Sequence, residues 1–215
     1  MIVRATQDLA PDTEITFRYK SPIGESYAGR QKEFRHWEFK CDCPICQDIQ
    51  TTKKSISAER SELRAKALNY HDPYRGITDI AKFQTIIEKA MNTYSRPAPE
   101  VPRLNLWDPL LGLAMAYMKK GQLFKAINST LKALESLGYI IDGGDMPRAS
   151  DKQIVVRKWG LMVNSLVNCW MLLSKAYELV APELKDTALQ YARISYKICV
   201  GEDETFDETY KVVKL

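Results

Sequence analysis

Residues 1–54 carry strand and turn signals, and residues 55–215 place their apolar positions at the spacing of one helix after another. In "EITFRYK", Ile15, Phe17 and Tyr19 fall on one face and Thr16 and Arg18 on the other, the alternation of a half-buried strand. "IVRAT" is a shorter β-prone run, and "APDTE" between them predicts a turn. "SPIGESYAG" then breaks the pattern with proline and glycine, and "RQKEFRHWEF" predicts a short helix. The polar stretch "TTKKS" marks a boundary. Beyond it Ser57 is placed to cap a helix over "SAERSELRAKALNY". In "AKFQTIIEKAMNTY" the residues Phe83, Ile86, Ile87, Ala90, Met91 and Tyr94 share one helical face. "SRPAPEVP" reads as a rigid connector without chemistry of its own.

Two helix pairs follow. "LLGLAMAYMKKGQLFKAINSTLKALESLGY" sets Leu113, Ala114, Tyr117, Gly121, Ala126 and Ala133 at the offsets of a tetratricopeptide-type hairpin. Ala114 and Ala126 are small enough for close helix approach, and Gly121 lets the chain reverse. "CWMLLSKAYELVAPELKDTALQYARISYKI" repeats the first helix with Trp170, Leu173, Ser174 and Tyr177, and packs its second through Ala188, Ala192 and Ser195. The competing reading is a generic helical bundle. "TFDETYKVV" offers a closing helix, and "DGGDMPRAS" between the pairs predicts a mobile loop.

Composition changes this picture little. The 215 residues are 45% hydrophobic and 27% charged, enough for a substantial core. Net charge is +4, too small to imply nucleic-acid binding, and the short basic stretch at Lys53 and Lys54 reads as a solvated face. The acidic "GEDETFDE" reads likewise as surface or tail. No apolar run reaches the 18 or so residues of a membrane span. The N-terminus has no apolar signal core, so secretion is not expected.

Cysteine usage is more informative. Cys41, Cys43 and Cys46 crowd into "CDCPIC", whereas Cys169 and Cys199 stand alone in apolar helical contexts. Such a distribution suits a reducing compartment, nucleus or cytoplasm, rather than a secreted disulfide framework. Zinc takes four ligands in a tetrahedron, and three thiolates on a proline-stiffened turn bracket an ion well. The alternative is three unrelated buried thiols. A fourth ligand is not evident: His36, Cys169 and Cys199 are the candidates, and each also reads as a packing residue.

"RATQDLAPDTEITFRY" followed by "RQKEFRHWEFKCDCPIC" resembles the C-terminal end of a SET domain and its post-SET zinc motif. The likeness is to the SET–MYND-like group of protein lysine methyltransferases, including fungal relatives with helical C-terminal regions. In that group a hairpin of pattern A-x-x-D-L-x-x-G-x-E-I-T-x-x-Y precedes an arginine-bearing helix and aromatic-x-Phe-x-Cys-x-Cys-x-x-Cys. Residues 3–46 carry the match, with Asp12 or Thr13 standing where a turn glycine is usual.

The resemblance implies a mainly α protein: tetratricopeptide-like helical hairpins (residues 55–215) preceded by the end of a SET domain (1–35) and a post-SET zinc motif (36–54). It implies that the chain begins where a SET domain is nearly finished, without the Asn-His-Ser segment that usually carries the fourth zinc cysteine. Zinc and S-adenosylmethionine are the implied cofactors. Tyr19 matches the tyrosine at the methyl-transfer site, Phe39 an aromatic packing near the cofactor adenine, and Trp37 an aromatic at the lysine channel. Cys41, Cys43 and Cys46 match the zinc ligands. The implied partner is a protein substrate, histone or other, with little or no activity from this chain alone. A second reading is a non-catalytic interaction module whose hairpins bind a partner peptide around a structural zinc motif. Strands at "IVRAT" and "EITFRYK" without neighbours would expose sheet edges and favour a homodimer.

Overall fold

The computed structural model describes residues 10–12, 27–72, 76–148, 153–163 and 165–211. The strands expected at "IVRAT" and "EITFRYK", their exposed edges, and Tyr19 lie outside those residues. Within the "APDTE" turn, Asp12 has φ 62°, in the left-handed region that glycine occupies most readily. Of the two positions that differ from the family's turn glycine, Asp12 therefore has the conformation a glycine would serve.

The described chain is mainly helical, as the spacing of its apolar residues predicts. Helix α1 (Tyr27–Phe34) runs into a 3-10 turn (Arg35–Trp37), and α2 (Pro44–Thr51) follows the cysteine-bearing segment. Only two residues separate α2 from helix α3 (Lys54–Tyr70). Ser57 is not its cap: the Ser57 amide already donates to the Lys53 carbonyl at 3.0 Å, so it sits inside the first turn. Asp79 does cap α4 (Ile80–Asn92), its carboxylate accepting from the Lys82 amide at 3.0 Å. Phe83, Ile87 and Ala90 are the buried face of α4.

Helices α5 (Trp107–Lys119) and α6 (Leu123–Ser136) form one hairpin, and α7 (Leu166–Val180) and α8 (Lys185–Val200) another, with α6 packed on α7. Small residues make each hairpin close. Ala114, Ala126 and Ala133 are fully buried in the first, Ala188, Ala192 and Ser195 in the second. Gly121 turns the first hairpin with φ 67°. A 3-10 turn (Pro182–Leu184) makes the corresponding connection in the second. Helix α9 (Phe206–Tyr210) closes the end of the row, its Phe206 fully buried against Tyr196 and Tyr210. The acidic segment expected to be surface or tail is thus anchored by one aromatic residue.

Strand pairing occurs where the sequence pattern does not announce it. β1 (His71–Asp72) pairs with β2 (Gly76–Ile77), and β3 (Ile140–Asp142) with β4 (Val155–Lys158), both antiparallel. The segment expected to be a mobile loop leaves β3 and is pinned over Gly143–Arg148. The Tyr177 hydroxyl donates to the Gly144 carbonyl at 2.7 Å, and the Asn128 amide exchanges two hydrogen bonds with the Met146 backbone. Tertiary bonds from α6 and α7 replace the order that local sequence lacks.

Gly160 lies where the chain leaves β4 and crosses the end of α6. A Cβ there would stand 2.4 Å from the Leu137 carbonyl oxygen and 2.8 Å from the Tyr139 amide nitrogen, both backbone atoms. Gly160→Ala is expected to lower stability by about 1–3 kcal/mol, read as an earlier midpoint in urea. An unchanged midpoint would show that the crossing relaxes freely.

Alkaline pH is expected to destabilise this core. Burial pushes the Cys169 thiol up from 9.0 to about 12, and also raises the Tyr139 and Tyr177 phenols. A group whose pKa is higher folded than unfolded contributes its stability fully below the unfolded value and loses it as pH rises through the folded one. The melting temperature should therefore fall progressively as pH is raised from about 9 toward 12. A flat profile over that window would contradict the burial of these groups.

Candidate metal centre

Three short pieces of backbone bring the cysteines together. Helix α1 presents Arg30 and Phe34, four residues apart on its buried face. After the 3-10 turn, Glu38 adopts φ 54°, and this left-handed residue doubles the chain back. Phe39 consequently stacks on Phe34, ring centroids 4.9 Å apart, with Trp37 tilted against the same ring at 6.4 Å. Cys41 and Cys43 follow in non-helical backbone. Cys43 is the N-cap of α2 and Pro44 its first residue, where the fixed proline φ suits a helix start and no amide donor is lost. Cys46 then sits in the first turn of α2, almost wholly buried.

The three Sγ atoms lie within 4.8 Å of one another. Sulfurs bound at about 2.3 Å to one tetrahedral ion stand roughly 3.8 Å apart, so a small contraction closes the set on a single zinc. Neighbouring donors are already in place. The Gln31 side-chain amide donates to the Cys41 carbonyl at 3.3 Å and approaches Cys46 Sγ at 4.0 Å. The buried Arg30 guanidinium reaches Cys46 Sγ at 3.8 Å.

Protonation competes with a cation here. Burial first, and then the two neighbouring thiols, push Cys46 up to about 12, so without an ion its thiol stays neutral. A divalent ion reverses that balance and holds the sulfurs as thiolates, so binding releases protons and strengthens as pH rises. The donor set, soft and clustered, therefore fits zinc.

Among the described residues no histidine, carboxylate or further cysteine joins the three. Cys169 is buried in α7 and Cys199 is exposed on α8; neither is part of the cluster. His36, in the 3-10 turn, does not enter it either. Trp37 and Phe39 form an aromatic surface beside the metal knuckle, with Trp37 half exposed. Tyr19, the expected methyl-transfer tyrosine, lies outside the described residues.

The residues that hold the knuckle were not singled out by spacing alone. Arg30 belongs to the arginine-bearing helix that the family pattern includes. Arg60 in α3 has no such signal, since an arginine on a polar helix reads as a solvated side chain. Arg60 is nevertheless buried, and pairs with Asp48 of α2 at 3.0 Å. A groove of about 510 Å³ runs between α1, α2, α3 and the connector that follows α4, lined by Tyr27, Arg30, Ile45, Arg60 and Tyr94 among others.

Comparison with known proteins adds a likeness along the chain. The chain is similar to a Gibberella zeae protein named "Methyltransferase", 35% identical over 214 residues. The match takes in 96% of this chain but 29% of that protein, so the chain spans less than a third of the length of the curated relative it matches. No protein-family model matches the chain. Among the described residues, no helix is long and apolar enough to cross a membrane.

Proposed function

We propose that this chain is the C-terminal portion of an S-adenosylmethionine-dependent protein lysine methyltransferase of the SET–MYND-like type. The similarity to the Gibberella zeae methyltransferase along almost the whole chain carries this reading. It is supported by a zinc-compatible Cys41–Cys43–Cys46 cluster directly behind an aromatic pair, in the order the post-SET motif has. In this reading residues 1–35 end the SET domain, 36–54 are the zinc motif and 55–215 form a tetratricopeptide-like domain. The fourth zinc ligand comes from outside the described residues. The compartment is reducing, nucleus or cytoplasm, in keeping with three cysteines gathered as a metal site rather than spread as a disulfide framework.

The cofactor would supply an electrophilic methyl group. The chain's residues would receive the lysine. Tyr19 orients the amine, which must shed a proton from its ordinary pKa near 10.4 before attack. Trp37 and Phe39 wall the channel, where aromatic faces favour a cationic nitrogen and exclude water.

A chimera tests this reading. The chain is placed in the Gibberella zeae protein in place of its matched segment, and transfer from methyl-labelled cofactor to histone and other lysine-bearing proteins is measured. The reading predicts labelled lysine from the chimera, near-complete loss with Tyr19→Phe, and little or no transfer by the isolated chain. A folded chimera that is inactive beside an active parent would contradict it, as would transfer that is indifferent to Tyr19.

A further inference from the structure

Helix α2 has only eight residues, fewer than an isolated helix needs to persist in water. Its order must come from what it is fastened to, and it has two fastenings on opposite faces. Cys46 joins the sulfur cluster, and Asp48, two residues on and about 200° around the helix, turns to α3. There the carboxylate accepts from Arg60 Nη1 at 3.0 Å, with both side chains mostly buried.

Arg60 uses its whole guanidinium at this junction. Its Nε donates to the Thr93 hydroxyl at 3.2 Å and its Nη2 to the Thr93 carbonyl at 2.9 Å, just past the end of α4. The Tyr94 ring lies under the guanidinium, 3.7 Å from Cζ to centroid, and Arg103 covers the same ring at 5.6 Å. One side chain of α3 thus ties α2 to the C-terminal end of α4 and the connector beyond it. The planar guanidinium is itself held by Thr93 and Tyr94, which fixes where its Nη1 meets the Asp48 carboxylate.

We propose that Arg60 is a positioning residue for the metal centre: through Asp48 it holds α2 in the place where Cys46 meets Cys41 and Cys43, so that metal affinity and the docking of α2 on the helical region are linked. The inference rests on the metal reading of the cysteine cluster. Linkage is reciprocal, so metal binding protects the Arg60–Thr93 junction to the same degree that the junction strengthens metal binding.

The test uses the full chain, stripped of metal under reducing conditions and titrated with Co²⁺, whose visible bands report tetrahedral thiolate ligation; Zn²⁺ is then added in competition. Arg60→Ala and Asp48→Asn should each weaken metal affinity about tenfold, the lower end for residues that orient ligands. The double variant should be no weaker than Arg60→Ala, because both changes break one connection. Arg64→Ala, one turn further along α3 and paired with Asp108 instead, should bind like the parent. Asp48→Asn keeps the shape of the side chain and carries the test if Arg60→Ala fails to fold by circular dichroism. Parent-like affinity in folded Asp48→Asn and Arg60→Ala overturns the linkage alone. A parent chain that shows no tetrahedral Co²⁺ spectrum overturns the metal reading and the linkage with it.

Discussion

Cys46→Ser is expected to weaken zinc binding about a hundredfold and to loosen the segment from α1 to α2. Cys46 is the buried member of the cluster and the one that both Arg30 and Gln31 approach. It is also the ligand that belongs to α2, so its loss removes the metal's hold on that helix. A complete structural zinc site is worth roughly 10–16 kcal/mol of apparent binding energy. Shared among four ligands, one thiolate accounts for roughly 3 kcal/mol, or about a hundredfold in affinity. Serine keeps the size but supplies a hydroxyl that does not ionise to hold zinc. Inductively coupled plasma mass spectrometry of the purified protein should read about one zinc per parent chain and far less per variant. Cys199→Ser, on the exposed face of α8, should leave the metal content unchanged. Equal zinc in parent and Cys46→Ser would remove Cys46 from the ligand set.

Trp170→Ala should produce the largest loss of global stability, about 3–5 kcal/mol. Trp170 is fully buried in α7 and lies against Tyr191 of α8, ring centroids 4.8 Å apart. From Tyr191 the contacts continue to Trp159 at 6.0 Å and from Trp159 to Tyr139 at 5.8 Å. The Tyr191 hydroxyl also accepts from the Val156 amide at 3.1 Å, which fastens β4 to the helices. Truncating Trp170 therefore leaves a cavity and frees the ring that anchors a strand. For a chain of this length the melting temperature should fall by roughly 6–20 °C. Trp37→Ala, at a half-exposed ring, should shift it little. A Trp170 variant as stable as Trp37→Ala would show that the α7–α8 hairpin is not packed as described.

The helical part was legible because its signals are local and redundant. Ala114 with Ala126, and Trp170 with Ala188 and Ala192, mark the close faces of two hairpins, and all are fully buried. Gly121 marks a turn through its left-handed backbone. The cysteine cluster was legible for the same reason, since three ligands lie within six positions. What escaped depends on distant partners. The β3–β4 pair joins short runs separated by a glycine-rich stretch, and is held by Tyr191 and a cross-strand Arg157–Asp142 ion pair. The pinned Gly143–Arg148 segment depends on Asn128 and Tyr177, neither of which is near it in sequence. Arg60 was hidden because nothing near it in the chain distinguishes a buried arginine from a solvated one. Among the described residues no fourth ligand joins the three cysteines. The candidates His36, Cys169 and Cys199 were offered by residue type alone, and the cluster includes none of them.

X-ray absorption at the zinc edge of the purified full chain tests the central claim most directly, because it reads ligand type and distance together. The account predicts a sulfur shell at about 2.3 Å containing three scatterers from Cys41, Cys43 and Cys46, with room for one further ligand. Zinc surrounded only by oxygen or nitrogen, or by fewer than three sulfurs, would contradict it.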